Sequence, residues 1–273
     1  MRSRGALLCD DFFAVYVPGN NVLQYPPELA KQLPAGSTLQ FQIHYTPRGT
    51  ETKDQTRLGL IYAKESPRHE VRVAAIAPPV LRIPAGAANH EIQAILPVPF
   101  SARLLSFMPH MHLRGKAYKY ELEDPKGIRT TLLEVPRYDF NWQIQYRLAE
   151  PIEAPSGSRL HGTAWFDNSS ENPANPDPSS NVKWGIQTDD EMALGYLEYY
   201  VPGVPAGAKV PSAASSMRRD GNLLFDSLDR NRDGVVTLDE SPAPEMFRVA
   251  DADGDGKVTR EELRELTRRR RNR

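Results

Sequence analysis

The sequence predicts a mainly β chain, in which an antiparallel jelly-roll or sandwich domain is followed by a small α-helical unit. Short runs alternate apolar and polar residues, and turn signals such as 124–127 and 155–157 separate them without intervening helical periodicity. The 24 prolines, against 18 glycines, suit loops between short strands better than long helices. After a small, Pro/Gly-rich stretch over 202–217, charged helical segments replace the strands.

The composition limits the class of protein. The chain has 273 residues, 40% hydrophobic and 25% charged, which suits one β domain plus a small unit. The formal net charge of −1 argues against a nucleic-acid binder, and no apolar run approaches the length of a membrane span. Cys9 is the single cysteine, so no intrachain disulfide can form, although this does not exclude export. We interpret the start of the chain as irregular or as a fragment boundary.

The first clear alternation covers residues 38–45 and predicts a strand. His44 shares its polar face with Gln40 and Gln42, so the pattern alone describes an ordinary surface histidine. A rigid polar loop is predicted over 167–181, with a structural role favoured over cation binding. Further strands are predicted over 58–63, 71–76, 81–86, 90–96, 103–112, 116–123, 129–135, 142–148, 159–166 and 192–200.

Two histidines stand close together on the predicted strand 103–112. Because side chains on a strand alternate between faces, His110 and His112 point the same way and Met111 points the opposite way. Two imidazoles on one face of a strand form half of a metal site. The alternative is a pair of half-buried histidines bonded to backbone, and so short a motif leaves both interpretations open.

Two acidic stretches, 229–240 and 251–262, fill the EF-hand calcium-loop pattern. Each supplies oxygen ligands at loop positions 1, 3, 5 and 9, a glycine for the turn at position 6, a carbonyl at position 7 and a closing glutamate. The predicted ligands of the first calcium are Asp229, Asn231, Asp233, Val235, Thr237 and Glu240. Those of the second calcium are Asp251, Asp253, Asp255, Lys257, Thr259 and Glu262.

The two loops are tightly spaced. They begin 22 residues apart, so one short helix, about 243–250, has to leave the first loop and enter the second. Phe225 and Phe247 precede their loops where an entering helix faces a shared core, and Leu263 and Leu266 continue that face. We therefore expect a separately folding, structural calcium clamp and not a sensor that opens a groove.

The β region, roughly 12–201, resembles the copper type II, ascorbate-dependent monooxygenases, the family of the peptidylglycine and dopamine hydroxylating enzymes. The matching stretches are 110–116 and 190–196, followed by Tyr199 and Tyr200. The absence of the animal enzymes' disulfides fits a bacterial-type relative.

The resemblance implies that His110, His112 and Met192 bind the copper at which oxygen binds and substrate is hydroxylated. This set is chemically sensible, because thioether sulfur favours Cu(I) and imidazole tolerates both oxidation states. By the same resemblance Tyr196 lines the catalytic pocket, and His44 is a ligand of a second, electron-donating copper that lies well away across a cleft.

This chain departs from the family pattern at two places. The second copper of the family takes an adjacent His-His pair from a preceding domain, and the sequence contains none. Peptide-amidating members have an arginine and an asparagine where this chain has Met108 and Leu194, so a substrate carboxylate has no anchor. We therefore expect either a fragment or an incomplete second site, and peptide amidation is disfavoured.

The resemblance implies C–H hydroxylation with O2 and ascorbate or another one-electron donor, a small-molecule substrate, a possible upstream copper domain and an extracytoplasmic location. Two alternatives stay open: a non-catalytic copper- and calcium-binding module, and a cupin-like Zn or Fe enzyme that uses both histidines with a carboxylate such as Glu191. The expected organisation is a remnant of a preceding copper domain over 1–50, a copper-binding β-sandwich over 51–203, a linker over 204–219, the EF-hand pair over 220–268 and a basic tail over 269–273.

Overall fold

The computed structural model describes residues 12–17, 19–20, 22–45, 49–208, 210, 221–229, 231–241 and 244–271. The strands in chain order are β1 (Leu29–Ala30), β2 (His69–Glu70), β3 (Arg72–Ile76), β4 (Arg82–Ile83), β5 (His90–Pro97), β6 (Ala102–His110), β7 (Gly115–Glu123), β8 (Arg129–Val135), β9 (Tyr146–Ala154), β10 (Arg159–Phe166), β11 (Val182–Lys183) and β12 (Leu194–Tyr200). Three helices follow: α1 (Gly221–Leu228), α2 (Pro244–Ala250) and α3 (Arg260–Arg271).

Two four-stranded antiparallel sheets form the β domain, as predicted. One has the order β5-β10-β7-β8 and the other β3-β12-β6-β9. Their inner faces share one core, which includes the fully buried Phe107, Met111, Tyr118, Tyr120 and Phe166. Alternate residues of each strand supply this core, which is the packing expected of a sandwich.

Two glycines make room for Tyr118, one of the largest side chains of this core. Tyr118 is 1% exposed, and its hydroxyl lies where a Cβ atom on Gly162 or Gly195 would have to sit. Gly162 belongs to β10 and Gly195 to β12, so the tyrosine spans the gap between the two sheets. The absence of side chains there lets the sheets pack at native density.

The outer face of the β3-β12-β6-β9 sheet is covered by the N-terminal residues. Phe12 packs edge-to-face on Tyr196, with ring centroids 4.8 Å apart. The Tyr25 hydroxyl donates to Glu198 Oε1 at 2.6 Å, and Lys31 Nζ lies 2.9 Å from the same oxygen. These covering residues pack against the sandwich. They belong to the segment 1–50, which was predicted from the sequence to be a remnant of a preceding copper domain.

Three strand predictions were wrong: two of the predicted strands do not form, and one lies later in the chain than expected. Residues 38–45 and 58–63 belong to no strand, and the strand expected over 142–148 is the later β9. A strand is held by ladder hydrogen bonds to a neighbour, and neither of the first two segments has such a ladder among the described residues. Their alternating apolar side chains, such as Phe41 and Ile61, are instead exposed at 54% and 74%.

The helical unit has its own core, as predicted. Its buried members are Phe225, Leu228, Val236, Phe247, Ala250, Val258 and Leu263, with Leu266 partly buried against them. Val236 and Val258 exchange backbone hydrogen bonds of 2.8 Å, which pairs the two acidic loops. Helix α3 continues through Arg271, so part of the predicted basic tail is helical. No helix among the described residues is long and apolar enough to cross a membrane.

Candidate metal centres

The two histidines lie on the outer face of the β3-β12-β6-β9 sheet. Leu194 is the cross-strand partner of His110, so both side chains stand on one face. The His110 and His112 rings are 5.3 Å apart between centroids and nearly perpendicular, while Met111 is buried in the sandwich core. The prediction that Met111 points away from the pair is therefore confirmed.

Both imidazoles are held through Nδ1. His110 Nδ1 lies 2.6 Å from Gln143 Oε1, and His112 Nδ1 lies 3.1 Å from the Asp190 carbonyl oxygen. The Gln143 amide nitrogen donates to the Phe140 carbonyl at 2.8 Å, which turns its oxygen toward His110. Since both partners are acceptors, each Nδ1 carries the proton and each Nε2 keeps its lone pair. This arrangement is typical of metal-binding histidines.

Burial keeps both rings neutral. It lowers the pKa of His110 to about 4, with the hydrogen bond to Gln143 opposing this shift and His112 adding to it. Burial also lowers the pKa of His112, which is 5% exposed, while the Asp190 carbonyl opposes the shift. A neutral imidazole is the form that binds a metal, so neither ring has to lose a proton near neutral pH.

Met192 and Tyr196 lie on the same sheet face as the histidine pair. Met192 precedes β12 by two residues on the same alternation as Leu194 and Tyr196, and it is 3% exposed. It packs with Met108, Leu194 and Tyr196 in a small apolar cluster on this face. The Tyr196 ring centroid is 6.4 Å from that of His110. The predicted copper ligands and pocket tyrosine are thus gathered on one sheet face.

Glu191 has a structural task beneath the pair. Its side chain is fully buried, and its oxygens accept backbone N–H bonds from His112 at 2.7 Å, Arg114 at 2.6 Å and Met192 at 3.2 Å. Burial raises its pKa to about 7, and these three donors oppose the shift. Because both oxygens are engaged by backbone, Glu191 is not free to act as the third ligand of a cupin-like site.

His44 lies on an exposed, unpaired segment, with Nε2 3.1 Å from Gln42 Nε2. A positive charge on it lowers the pKa of both His110 and His112. Among the described residues His44 joins no cluster of three or more close ligand atoms from His, Cys, Asp and Glu.

The first calcium loop is partly buried. Asp229 is 6% exposed, and its Oδ1 has no hydrogen-bond partner among the described residues, while Oδ2 accepts from the Gly234 N–H at 3.3 Å. Burial raises the pKa of Asp229, and the charges of Glu240 and Asp233 add to the shift. Glu240 Oε2 accepts from the Thr237 backbone N–H at 3.0 Å. An oxygen left without a donor beside other carboxylates suits a cation ligand.

The second loop repeats the geometry in a more exposed position. Asp251, Asp253 and Asp255 bring one carboxylate oxygen each within 4.8 Å of one another. Asp251 Oδ2 accepts from the Gly256 N–H at 3.1 Å, and Glu262 Oε2 accepts from the Thr259 N–H at 2.7 Å. The equivalent bonds to Gly234 and Thr237 exist in the first loop, so both predicted ligand sets share one backbone arrangement.

Sequence reasoning missed the residues that hold the histidines. Gln143 lies in a loop within the segment that was predicted as a strand over 142–148, and no pattern there points to His110. Asp190 acts through its backbone carbonyl, which any residue could supply. Tyr138 was also missed: its hydroxyl accepts from the Met111 N–H at 3.0 Å and donates to the Met111 carbonyl at 2.6 Å. Of these positions, only Asp190 lies in a stretch that had been singled out from the sequence, because 190–196 carries the family resemblance.

The low pKa of His110 predicts acid sensitivity. Between its ordinary value of 6.5 and the folded value of about 4, the unfolded chain binds a proton that the folded chain does not. Stability therefore falls as the pH drops through this window, by up to about 2 kcal/mol at pH 5. Urea unfolding of the metal-free chain at pH 7.5 and 5 measures this loss. Over the same pH range the His110→Gln variant should lose about 2 kcal/mol less stability than the wild-type chain. An equal loss of stability in both chains would show that His110 is not the group responsible.

Two family models match the C-terminal region. The model described as "EF hand" matches residues 222–240, and the model described as "EF hand domain" matches residues 244–270. The chain therefore carries an EF-hand calcium-binding module over these residues. No curated protein matches the chain significantly.

Among solved structures, the chain is similar to capsid proteins of infectious bursal disease virus. The VP2 subviral particle is 12% identical with a TM-score of 0.29, over 57% of this chain and 39% of the viral chain. The D431N mutant VP2 is 11% identical with a TM-score of 0.26, over 54% of this chain and 36% of the viral chain. This chain thus spans less than two thirds of the length of these viral proteins.

Proposed function

We propose that this chain is a copper-dependent monooxygenase domain, or the oxygen-binding half of such an enzyme, joined to a calcium-binding EF-hand pair. The observation that carries the proposal is the state of the two imidazoles. Each is neutral, and each has Nδ1 bound to an acceptor oxygen, so each offers Nε2 as a ligand. The Met192 thioether on the same face completes a donor set that suits copper.

Bound copper would supply the activation of dioxygen for hydroxylation of a C–H bond, with ascorbate or another one-electron donor as the source of electrons. The chain's own residues prepare the site. Gln143 and Asp190 hold the imidazoles in one tautomer, and Glu191 fixes the backbone that carries His112 and Met192.

The surroundings of the histidine pair favour an apolar reactant. Met108 and Tyr196 are cross-strand partners next to His110, and Phe12 covers the tyrosine ring. This wall is apolar, and neither Met108 nor Leu194 offers a cation to a substrate carboxylate. A small-molecule substrate without a carboxylate at that position therefore agrees best with the site.

Anaerobic titration with Cu(I) against a chromophoric competitor tests the proposal. We expect one tight site, and His110→Ala or His112→Ala should weaken it beyond the roughly 10- to 100-fold that changes around a metal site cost. In Met192→Leu, X-ray absorption should show loss of the copper–sulfur distance. Met111→Leu is the matched control, because Met111 lies in the sandwich core on the opposite face.

Unchanged affinity in the histidine variants would overturn the copper assignment. Oxygen consumption by the copper-loaded chain with ascorbate then separates an enzyme from a non-catalytic copper module. The non-catalytic module is a specific alternative, because the sequence lacks the adjacent His-His pair of the electron-donating site.

A further inference from the structure

One end of the β5-β10-β7-β8 sheet carries a buried cluster of charged residues. Arg159 begins β10 and pairs with Glu123 at the end of β7, and Glu123 pairs with Arg129 at the start of β8. Glu123 is 4% exposed and Arg159 is 5% exposed. Glu123 Oε2 lies 3.0 Å from Arg129 Nε and 2.8 Å from His161 Nε2. Buried charges of this kind need hydrogen-bonding or charged partners, and some of these partners lie outside the sheet.

The EF-hand unit supplies those partners. Arg159 Nη2 donates to the backbone carbonyls of Asp226 and Asp229, the second at 2.6 Å. Asp226 lies in the last turn of α1, where helix carbonyls have no partner within the helix. The sandwich arginine therefore completes the hydrogen bonding of the helix end that leads into the first calcium loop, where cations are also favoured by the helix dipole.

A second contact comes from inside the calcium loop. Arg232 stands at loop position 4, and its Nη2 forms an ion pair with Glu123 Oε1. Its Nη1 also lies beside Gly127 in the β7–β8 turn, 3.6 Å from the position of an added Cβ. One side chain thus connects the first loop to the edge of the sandwich.

Arg232 has an unfavourable backbone conformation, which the ion pair with Glu123 helps to explain. Its φ of 60° lies in the left-handed region, which costs a non-glycine residue about 1–2 kcal/mol. The second loop has Gly254, with φ 75°, at the same position. Glycine would be the easier residue in the first loop as well, but it cannot reach Glu123. The arginine thus makes a contact that the equivalent glycine of the second loop cannot make.

We propose that the EF-hand pair docks on this end of the sandwich in a calcium-dependent manner, with Arg159, Glu123 and Arg232 as the coupling contacts of the first loop. The inference rests on the EF-hand module and is independent of the copper proposal. Calcium held by Asp229 fixes the loop whose carbonyl Arg159 binds and whose position 4 places Arg232 over Glu123. Without the ion, the loop carboxylates repel one another and the contacts lose their support.

Linkage makes the proposal measurable in both directions. If calcium favours docking, docking strengthens calcium binding at the first loop by the same factor. The full chain carrying Glu262→Gln weakens the second loop, so a calcium titration then reports the first. Adding Glu123→Gln should weaken this binding by about 5-fold or more, the lower range of measured couplings. Adding Arg264→Gln instead, on the exposed side of α3, should leave it unchanged.

Hydrogen exchange provides the second measurement and separates lost contact from lost fold. Calcium removal from the full chain should increase exchange at the ends of β7, β8 and β10. Arg232→Gly changes no residue of the sandwich and suits the left-handed backbone, so it should show the same increase with calcium at saturation. Unchanged exchange at these strand ends on calcium removal, or wild-type exchange in Arg232→Gly, would overturn the proposal.

Discussion

Replacing Glu191 with alanine should destabilise the β domain by about 3–9 kcal/mol. The variant leaves three backbone N–H groups without an acceptor, those of His112, Arg114 and Met192. Each buried, unsatisfied donor costs about 1–3 kcal/mol, and the side chain's removal adds a small cavity. Because the carboxylate is fully buried, water cannot replace it without the site opening.

The same change should weaken Cu(I) binding by about 10- to 100-fold, because Glu191 holds the backbone on both sides of the ligand set. Glu191→Gln keeps one oxygen acceptor but turns an amide NH2 toward backbone donors, so an intermediate loss is expected. Urea unfolding and Cu(I) titration measure the two effects. Glu134→Gln, exposed on β8, is the matched control and should change neither. A Glu191→Ala chain as stable as the control would show that the three hydrogen bonds matter little.

Removing calcium should lower the melting temperature of the EF-hand unit much more than that of the sandwich. The unit has a core of its own, and the buried Asp229 carboxylate has an oxygen, Oδ1, without a hydrogen-bond partner among the described residues, which a bound calcium would engage. Each site contributes about 4 kcal/mol when calcium is at 1,000 times its dissociation constant. The sandwich keeps its separate core, so its main transition should move little even though contacts at one end are lost.

Differential scanning calorimetry of the full chain, with calcium and with EGTA, tests this expectation. Glu262→Gln should reproduce part of the EGTA effect, because it removes the ligand that closes the second loop. Glu261→Gln is its matched control, since Glu261 is exposed and stands at a loop position that supplies no ligand. A single transition that moves as a whole with calcium would show that the unit and the sandwich melt together.

The copper and calcium proposals can fail separately. The copper proposal rests on His110, His112 and Met192 at one sheet, whereas the docking proposal uses the end of the other sheet. Loss of copper-site activity on calcium removal, with the sandwich still folded, would show that the EF-hand pair regulates the chemistry. The docking contacts would then be the route to examine first.

Local patterns in the sequence determined much of the fold. The bounds of β8 and β10 follow from the alternation over 129–135 and 159–166, and the same periodicity put His110 and His112 on one face. The calcium loops were readable because all their ligands fall within twelve consecutive positions. Where one segment contains all the atoms of a feature, its spacing alone specifies the geometry.

Tertiary structure decided the features that join distant segments. Residues 38–45 have a strand pattern, but a strand also needs a neighbour, and none pairs with them among the described residues. Gln143 lies 33 residues from His110, Asp190 lies 78 from His112, and Arg159 lies 70 from the Asp229 carbonyl that it binds. Such contacts have no local periodicity, because the backbone atoms and single side chains that make them meet only when the sheets pack.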